Sequence, residues 1–269
     1  MFTCKDQLGR EVILPVYPPK RIISLVPSQT ELLFDLGLDR EVIGITRFCV
    51  HPEKWKTGKE KIGGTKNPDV KKIKTLAPDL VIANKEENSR EQLAQLAEFV
   101  PVYISEVRTL TDAVDMIEAI GTLTGRHREA GGVISGIREN FTRLQQKKIS
   151  GILPSRLPKV CYLIWREPFM TVGGDTFIAD MLRCCGFQNI FDAKSRYPEV
   201  TPAEIQSNNC EVIFLSSEPY PFKEKHIGEI KKLFPDTSLM LVDGTMFSWY
   251  GSRLLQAPGY FEKLINRYT

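Results

Sequence analysis

The sequence predicts an α/β protein of two lobes, each built on a central parallel sheet, joined by one long helix. Three observations carry this. Apolar β-branched runs alternate with capped helical stretches, the order that a parallel sheet with helical crossovers requires. The same order is written twice: Leu36-Gly37 corresponds to Cys185-Gly186, Asp79-Leu80-Val81-Ile82 to Glu211-Val212-Ile213-Phe214, and Val102-Tyr103-Ile104 to Met240-Leu241-Val242. Between the two halves, residues 106–150 hold no strand signal.

Residues 3–19, with Gly9, Pro15, Pro18 and Pro19, read as a turn-rich lead-in. Residues 22–26 are a buried strand that breaks at Pro27, which lacks an N–H and fixes φ. Ser28 is placed to cap the next helix, Glu31 reaches back to complete a capping box, and Gly37 ends it. A second strand, 42–46, runs into Arg47-Phe48-Cys49-Val50-His51-Pro52. A short helix over 70–77 follows Asp69 and stops at Pro78; 79–83 is the next strand. Ser89 with Gln92 forms another capping box, and 101–104 is a strand again.

Residues 111–123 make one amphipathic helix. Residues 126–148 make a longer one, with Ile134, Ile137, Phe141 and Leu144 on one face. At 1.5 Å per residue it spans roughly 34 Å, and Gly131 and Gly132 each weaken it by roughly 1 kcal/mol relative to alanine. Such a rod lets a cleft between lobes open only a little; the alternative is one more crossover in a single larger sheet. The second half offers strand 159–164, a Gly173-Gly174 turn, and a helix capped by Asp175 and ended by Gly186. Thr201-Pro202-Ala203-Glu204 then combines a capping box with proline at the first helical position, and 212–216 and 239–242 are strands. The resulting division is an N-terminal lobe over 1–110, a helical connection over 111–157 and a C-terminal lobe over 158–269.

The 36 basic and 33 acidic residues give a net charge of +3; read as spread along the chain, this is too mild for a nucleic-acid partner. No apolar run approaches the roughly 20 residues needed to span a bilayer. The N-terminus MFTCKDQLGREV lacks the apolar core of a signal peptide, so the chain as written stays in the cytoplasm. Six cysteines without CxxC spacing read as free thiols. There is no GxxxxGK[ST], GxSxG, HExxH or GxGxxG to support catalysis, and His127 and His226 read as solvated.

Ligands of open parallel sheets sit beyond the carboxyl ends of the strands. That rim receives Ser28 and Phe48 to His51 in the first half. In the second it receives Trp165-Arg166-Glu167-Pro168-Phe169 and Met246-Phe247-Ser248-Trp249-Tyr250-Gly251-Ser252-Arg253. Large aromatics on loops are either packed structurally or facing a ligand; as a group these favour a ligand. Arg166 and Arg253 suit an anionic ligand group or ordinary salt bridges. Cys49 and His51, two apart, would share a side of a strand, but a pair falls short of a metal site.

The runs KRIISLVPSQTELLFDLG, VIGITRFCVHP, IGGTKNPDVKKIKTLAPDLVIAN and TVGGDTFIADMLRCCGFQNIF resemble the substrate-binding proteins of ABC importers for vitamin B12, ferric siderophores and haem. The likeness covers nearly the whole chain and is closest to the cobalamin-binding branch. It implies two Rossmann-like lobes of the class III periplasmic-binding-protein type, with a ligand held in the groove between them and no chemistry done on it. The ligand-facing set it implies, together with the rim, is Ser28, Phe48, Cys49, His51, Thr65, Trp165, Arg166, Met246, Phe247, Trp249, Tyr250 and Arg253. A corrinoid's broad apolar faces edged with amides suit aromatic walls, whereas a ferric catecholate calls for more cations, and Arg47, Arg166 and Arg253 leave that open.

Two departures from the family pattern stand out. The glutamates with which such proteins dock on a permease are replaced by Lys71 and Ala203, with Glu204 beside the latter; this should weaken docking to a basic permease surface. The export signal is also missing, which implies either a removed leader, and then a periplasmic or membrane-anchored protein, or an intracellular relative. The expected function is non-enzymatic binding of a corrinoid or related metal chelate by a monomer that requires no cofactor. The alternatives are a small-molecule enzyme using Asp175, Glu167, His51 or Cys49 in the same cleft, and an intracellular sensor or delivery protein whose loops dock on a partner.

Overall fold

The computed structural model describes residues 1–153 and 158–268. Residues 154–157, the end of the expected helical connection, and residue 269, the end of the expected C-terminal lobe, lie outside them. The chain divides into two compact units. One comprises Met1–Val107, Thr111–Gly136 and Tyr250–Arg253, the other Arg108–Leu110, Ile137–Trp249 and Leu254–Thr269. The division thus falls inside the long helix, and four residues from near the C-terminus belong with the N-terminal unit.

The N-terminal unit begins with strands β1 (Phe2–Lys5) and β2 (Glu11–Leu14), an antiparallel hairpin in the segment whose glycine and prolines predict only turns. Val12 and Leu14 point inward and Glu11 and Ile13 outward, a period-two signal masked by the neighbouring glycine and prolines. The Asp6 carboxylate closes the turn, accepting from the Leu8 and Arg10 N–H groups at 2.9 Å each. Then follow β3 (Ile22–Ser24), α1 (Pro27–Asp35), β4 (Val42–Ile45), α2 (Glu53–Gly58), β5 (Glu60–Lys61), α3 (Val70–Leu76), β6 (Leu80–Asn84), α4 (Arg90–Ala97), β7 (Val102–Ser105) and α5 (Leu110–Leu123). The five later strands form one parallel sheet in the order β5-β4-β3-β6-β7. One side of it is a continuous apolar layer that includes Ile23, Val81, Leu96 and Ile104, each worth roughly 1.5–3 kcal/mol when withdrawn from water.

Helix α6 (His127–Ile149) has 23 residues and buries Ile134, Ile137, Phe141 and Leu144 as their spacing required. The C-terminal unit contains β8 (Lys159–Leu163), α7 (Phe177–Cys185), β9 (Gln188–Asn189), α8 (Pro202–Ser207), β10 (Val212–Ser216), α9 (Glu224–Lys231), β11 (Ser238–Val242), α10 (Thr245–Ser248) and α11 (Ala257–Tyr268). Its four strands are parallel in the order β11-β10-β8-β9. The protein is therefore α/β with two parallel sheets, each packed with helices, and all six cysteines are free.

Local capping separates what the sequence predicts well from what it does not. Thr201 and Glu204 form the expected capping box with Pro202 inside it, and Gly186 ends α7 at φ +91°. Ser28 does not cap α1: Val26 occupies that position and Ser28 is already helical. Ser89 caps nothing through its side chain and donates instead to Glu91. Thr176, not Asp175, caps α7 by accepting from the Ala179 N–H, while Asp175 accepts from the Arg196 N–H at 2.6 Å. His226 is buried rather than solvated, its Nδ1 accepting from the Lys223 N–H at the start of α9.

Two expected outcomes follow from these geometries. Gly63 has φ +95°, and an added Cβ would lie 2.7 Å from the Asn67 carbonyl oxygen and 2.9 Å from the Asp69 nitrogen; Gly63→Ala should cost about 1–3 kcal/mol in urea unfolding. The Lys194 ammonium, then the Thr201 N–H and hydroxyl, hold the Glu204 carboxyl down to about 2 from an ordinary 4.5. Because the folded-state value is the lower one, the stabilisation is present above that ordinary value and fades as pH falls toward 2. Glu204→Gln should remove that part of the acid dependence of Tm.

Candidate functional site

In the N-terminal unit the rim is shaped by a turn after β4. The Thr46 hydroxyl accepts from the Phe48 N–H at 3.3 Å, the Thr46 carbonyl accepts from the Cys49 N–H at 3.2 Å, and the Gly63 carbonyl accepts from the Arg47 N–H at 2.9 Å. This sends Arg47 and Phe48 outward and Cys49 inward. Phe48 is 50% exposed, and the Arg47 guanidinium carbon sits 5.0 Å from its ring centre, a cation–π pair that leaves much of the ring open.

Cys49 is wholly buried, its Sγ 3.1 Å from the Thr30 hydroxyl and 3.2 Å from that of Thr46. Burial pushes its thiol up, with the two hydroxyls opposing. The expectation that Cys49 faces a ligand is therefore corrected: the chain turns here instead of running on as a strand, so Cys49 points in while His51 stays exposed. Among the described residues no cluster of three histidines, cysteines or acids is placed to hold a metal ion.

Ser28 is 3% exposed, and its hydroxyl has no hydrogen-bond partner. Thr65 is half-buried; its carbonyl accepts from the Asn88 side chain at 2.8 Å, and that side chain also accepts from the Asn84 N–H at 2.8 Å. The segment Tyr250–Arg253 is bound into this unit through its side chains. Tyr250 donates to Glu87 at 2.6 Å, Ser252 to Asp35, and Arg253 to both oxygens of Glu31 at 2.9 and 2.5 Å. An added Cβ on Gly251 would lie 2.7 Å from the Ser28 carbonyl. Arg253 is thus a partner of Glu31, with 11% and 14% of the two side chains exposed. This corrects both its expected ligand role and the expected capping role of Glu31, since a two-pronged charged pair outcompetes a single neutral cap.

In the C-terminal unit Trp165 follows β8 and pairs with Met170 across a tight turn. It is 40% exposed, its ring 5.5 Å from that of Tyr220 at 71°. Arg166 beside it is tied to Glu229 at 2.5 Å and Glu167 at 3.3 Å, so it too serves salt bridges, the second of the two roles its sequence position suits. Phe247, expected at the rim, is instead core: it is fully buried against Tyr162, Phe214 and Phe261. Trp249 and Tyr250, also expected at the rim, are buried as well, at 7% and 6% exposed. Met246 is half-buried, and the Trp249 indole N–H donates to Glu218 Oε1 at 3.1 Å, which also accepts from the Ser248 hydroxyl at 2.5 Å.

Sequence reasoning missed Glu218 and Tyr220, which organise this rim. The signal was available: SEPY follows β10 much as WREP follows β8, so the rule that reads strand ends as sites applies to both. It also missed Glu87, because nothing local pairs an acid with a tyrosine 163 positions away.

A family model described as periplasmic binding protein matches residues 22–235. The vitamin B12-binding protein of Vibrio vulnificus strain CMCP6 is 30% identical over 209 residues, 76% of this chain and 74% of that protein. The crystal structure of the periplasmic vitamin B12 binding protein BtuF of Vibrio cholerae superposes with a TM-score of 0.79 at 22% identity, covering 93% of this chain and 98% of that one. A periplasmic haem-binding protein from Pseudomonas aeruginosa gives 0.81 at 17% identity over 92% of each chain.

The Glu31–Arg253 pair should act as a fold determinant. Arg253→Met strands a largely buried carboxylate and should cost about 2–4 kcal/mol by chemical denaturation, with part recovered in the double variant with Glu31→Gln. Cys49, Cys161 and Cys185 are completely buried and should resist iodoacetamide at pH 8 in the native protein, reacting only in denaturant, as read by mass spectrometry.

Proposed function

Because the chain belongs to the periplasmic binding protein family, we propose that it binds a corrinoid or related metal chelate without altering it, as the substrate-binding component of an ABC importer or a relative of one. The observation that carries this reading is the similarity to a vitamin B12-binding protein over about three quarters of both chains. The exposed rings of Phe48 and Trp165, one at the sheet rim of each unit, support it. Flat apolar surfaces with a few polar groups beside them suit a macrocycle with apolar faces and amide edges. The metal arrives inside the chelate as cargo.

The residues proposed to meet the ligand are Phe48, His51, Thr65, Trp165 and Met246, with Ser28 at the head of α1, while the buried Trp249 and Tyr250 serve Glu218 and Glu87. The permease partner, where one exists, meets an altered charge pattern. Exposed Lys71 and Ala203 stand where the family resemblance implies acids, and Glu204 is held by Lys194 at 2.8 Å. No helix among the described residues is long and apolar enough to cross a membrane.

Titration with cobalamin, cobinamide, haem and a ferric siderophore, followed by visible absorption and tryptophan fluorescence, tests the reading. Saturable binding of at least one at micromolar concentration or tighter is expected, and Phe48→Ala and Trp165→Ala should each weaken it roughly tenfold, about 1.4 kcal/mol. Absence of any spectral response at micromolar ligand would overturn it.

A further inference from the structure

Counting charge over the whole chain conceals where it sits. Residues 53–74 contain eight lysines against three acids, Glu53, Glu60 and Asp69: a net of five positive charges in a chain whose total is +3, so the remaining residues together are net negative. The mild overall balance noted from composition is therefore the sum of one basic segment and a slightly acidic remainder.

The fold gathers this segment on one edge of the N-terminal sheet. β5 is the outermost strand, flanked in sequence by α2 and α3. The Lys61 ammonium donates to the Trp55 carbonyl of α2 at 3.3 Å, and the Lys72 ammonium donates to the Lys61 carbonyl at 2.9 Å, so the three elements are stitched side by side. Lys54 and Lys59 share Asp39, and Lys72 pairs with Glu60. Lys56, Lys66, Lys71 and Lys74 are exposed, and among the described residues none has a carboxylate within salt-bridge distance. The half-buried Lys61 has its pKa lowered, chiefly by burial, with Cys49 opposing and Lys56 adding to the shift.

Lysine on an edge strand also discourages strand pairing with other chains, but that role needs only β5 itself, not the exposed lysines of α2, α3 and the loop between them. We propose that this edge is a docking surface for an anionic lipid bilayer. Two observations favour lipid headgroups over a protein. The segment has no arginine, whose planar fork suits specific carboxylate or phosphate geometry, only lysines, which act as hydrated point charges. It also lacks an exposed large apolar residue of the kind that anchors protein interfaces, since its one tryptophan, Trp55, is 1% exposed. Clusters of four to eight basic residues are what an anionic leaflet attracts.

Co-sedimentation of the full chain with phosphatidylcholine vesicles, and with vesicles in which about a third of the lipid is phosphatidylglycerol, tests this. The expected result is partition onto the phosphatidylglycerol vesicles only, weakening as salt rises from low to several hundred millimolar. Combining Lys56→Gln, Lys66→Gln, Lys71→Gln and Lys74→Gln should abolish it while the circular dichroism spectrum is unchanged, and Lys56→Gln or Lys71→Gln alone should each weaken it roughly fivefold, about 1 kcal/mol per charge. Equal recovery with both vesicles, undiminished binding by the single or combined variants, or binding to a DNA oligonucleotide without binding to vesicles would overturn it.

Discussion

Parallel strands buried on both faces reach solvent only at their ends, and this constraint governs both sheets. β6, β7 and β10 are buried at every position, so polar groups collect where the strands stop. In the N-terminal unit Asn84 and Ser105, the last residues of β6 and β7, bond to each other, and Ser105 also accepts from the Gln29 side chain. Ser24, Thr30, Thr46 and Cys49 make a second buried cluster at the ends of β3 and β4. A buried hydroxyl or amide left unpaired costs more than a paired one gains, so these clusters pin the loops above them. The Arg47-Phe48 turn is as defined as it is because its underside has no freedom to rearrange.

Where a local bond competes with a distant one, charge and burial decide. Glu31 is correctly spaced to cap α1, but the Arg253 fork offers two charged hydrogen bonds in a nearly dry setting. At the exposed start of α8 the charged partner leaves the cap intact: Lys194 takes Oε1 of Glu204 while Oε2 accepts from the Thr201 N–H, and the capping box forms as written. Phe247 and Trp249 are both buried and differ in their polar atoms: Phe247 has none and packs against Tyr162 and Phe261, while the Trp249 N–H is satisfied by Glu218.

The two surfaces of interest in the N-terminal unit differ in kind. The turn after β4 presents an aromatic ring beside the Arg47 cation over a buried polar floor, which suits recognition by shape. The β5 edge presents lysines with no apolar anchor, which suits attraction to a diffuse negative surface. The two surfaces lie on successive stretches of chain, 46–51 and 53–74.

Strand and helix order, the long α6, the Thr201 cap and the glycine stop at Gly186 follow from the chain alone, because apolar periodicity and terminal chemistry act over a few residues and are written beside one another. The aromatics at strand ends were legible for the same reason, since topology alone sends strand ends to a rim. Which of them turn outward was decided by tertiary structure. Cys49 and Phe247 went inward and Arg253 went to Glu31 because buried space and opposite charge lay far along the chain. Whether a side chain meets solvent depends on what packs over it, and no spacing between neighbours in sequence records that.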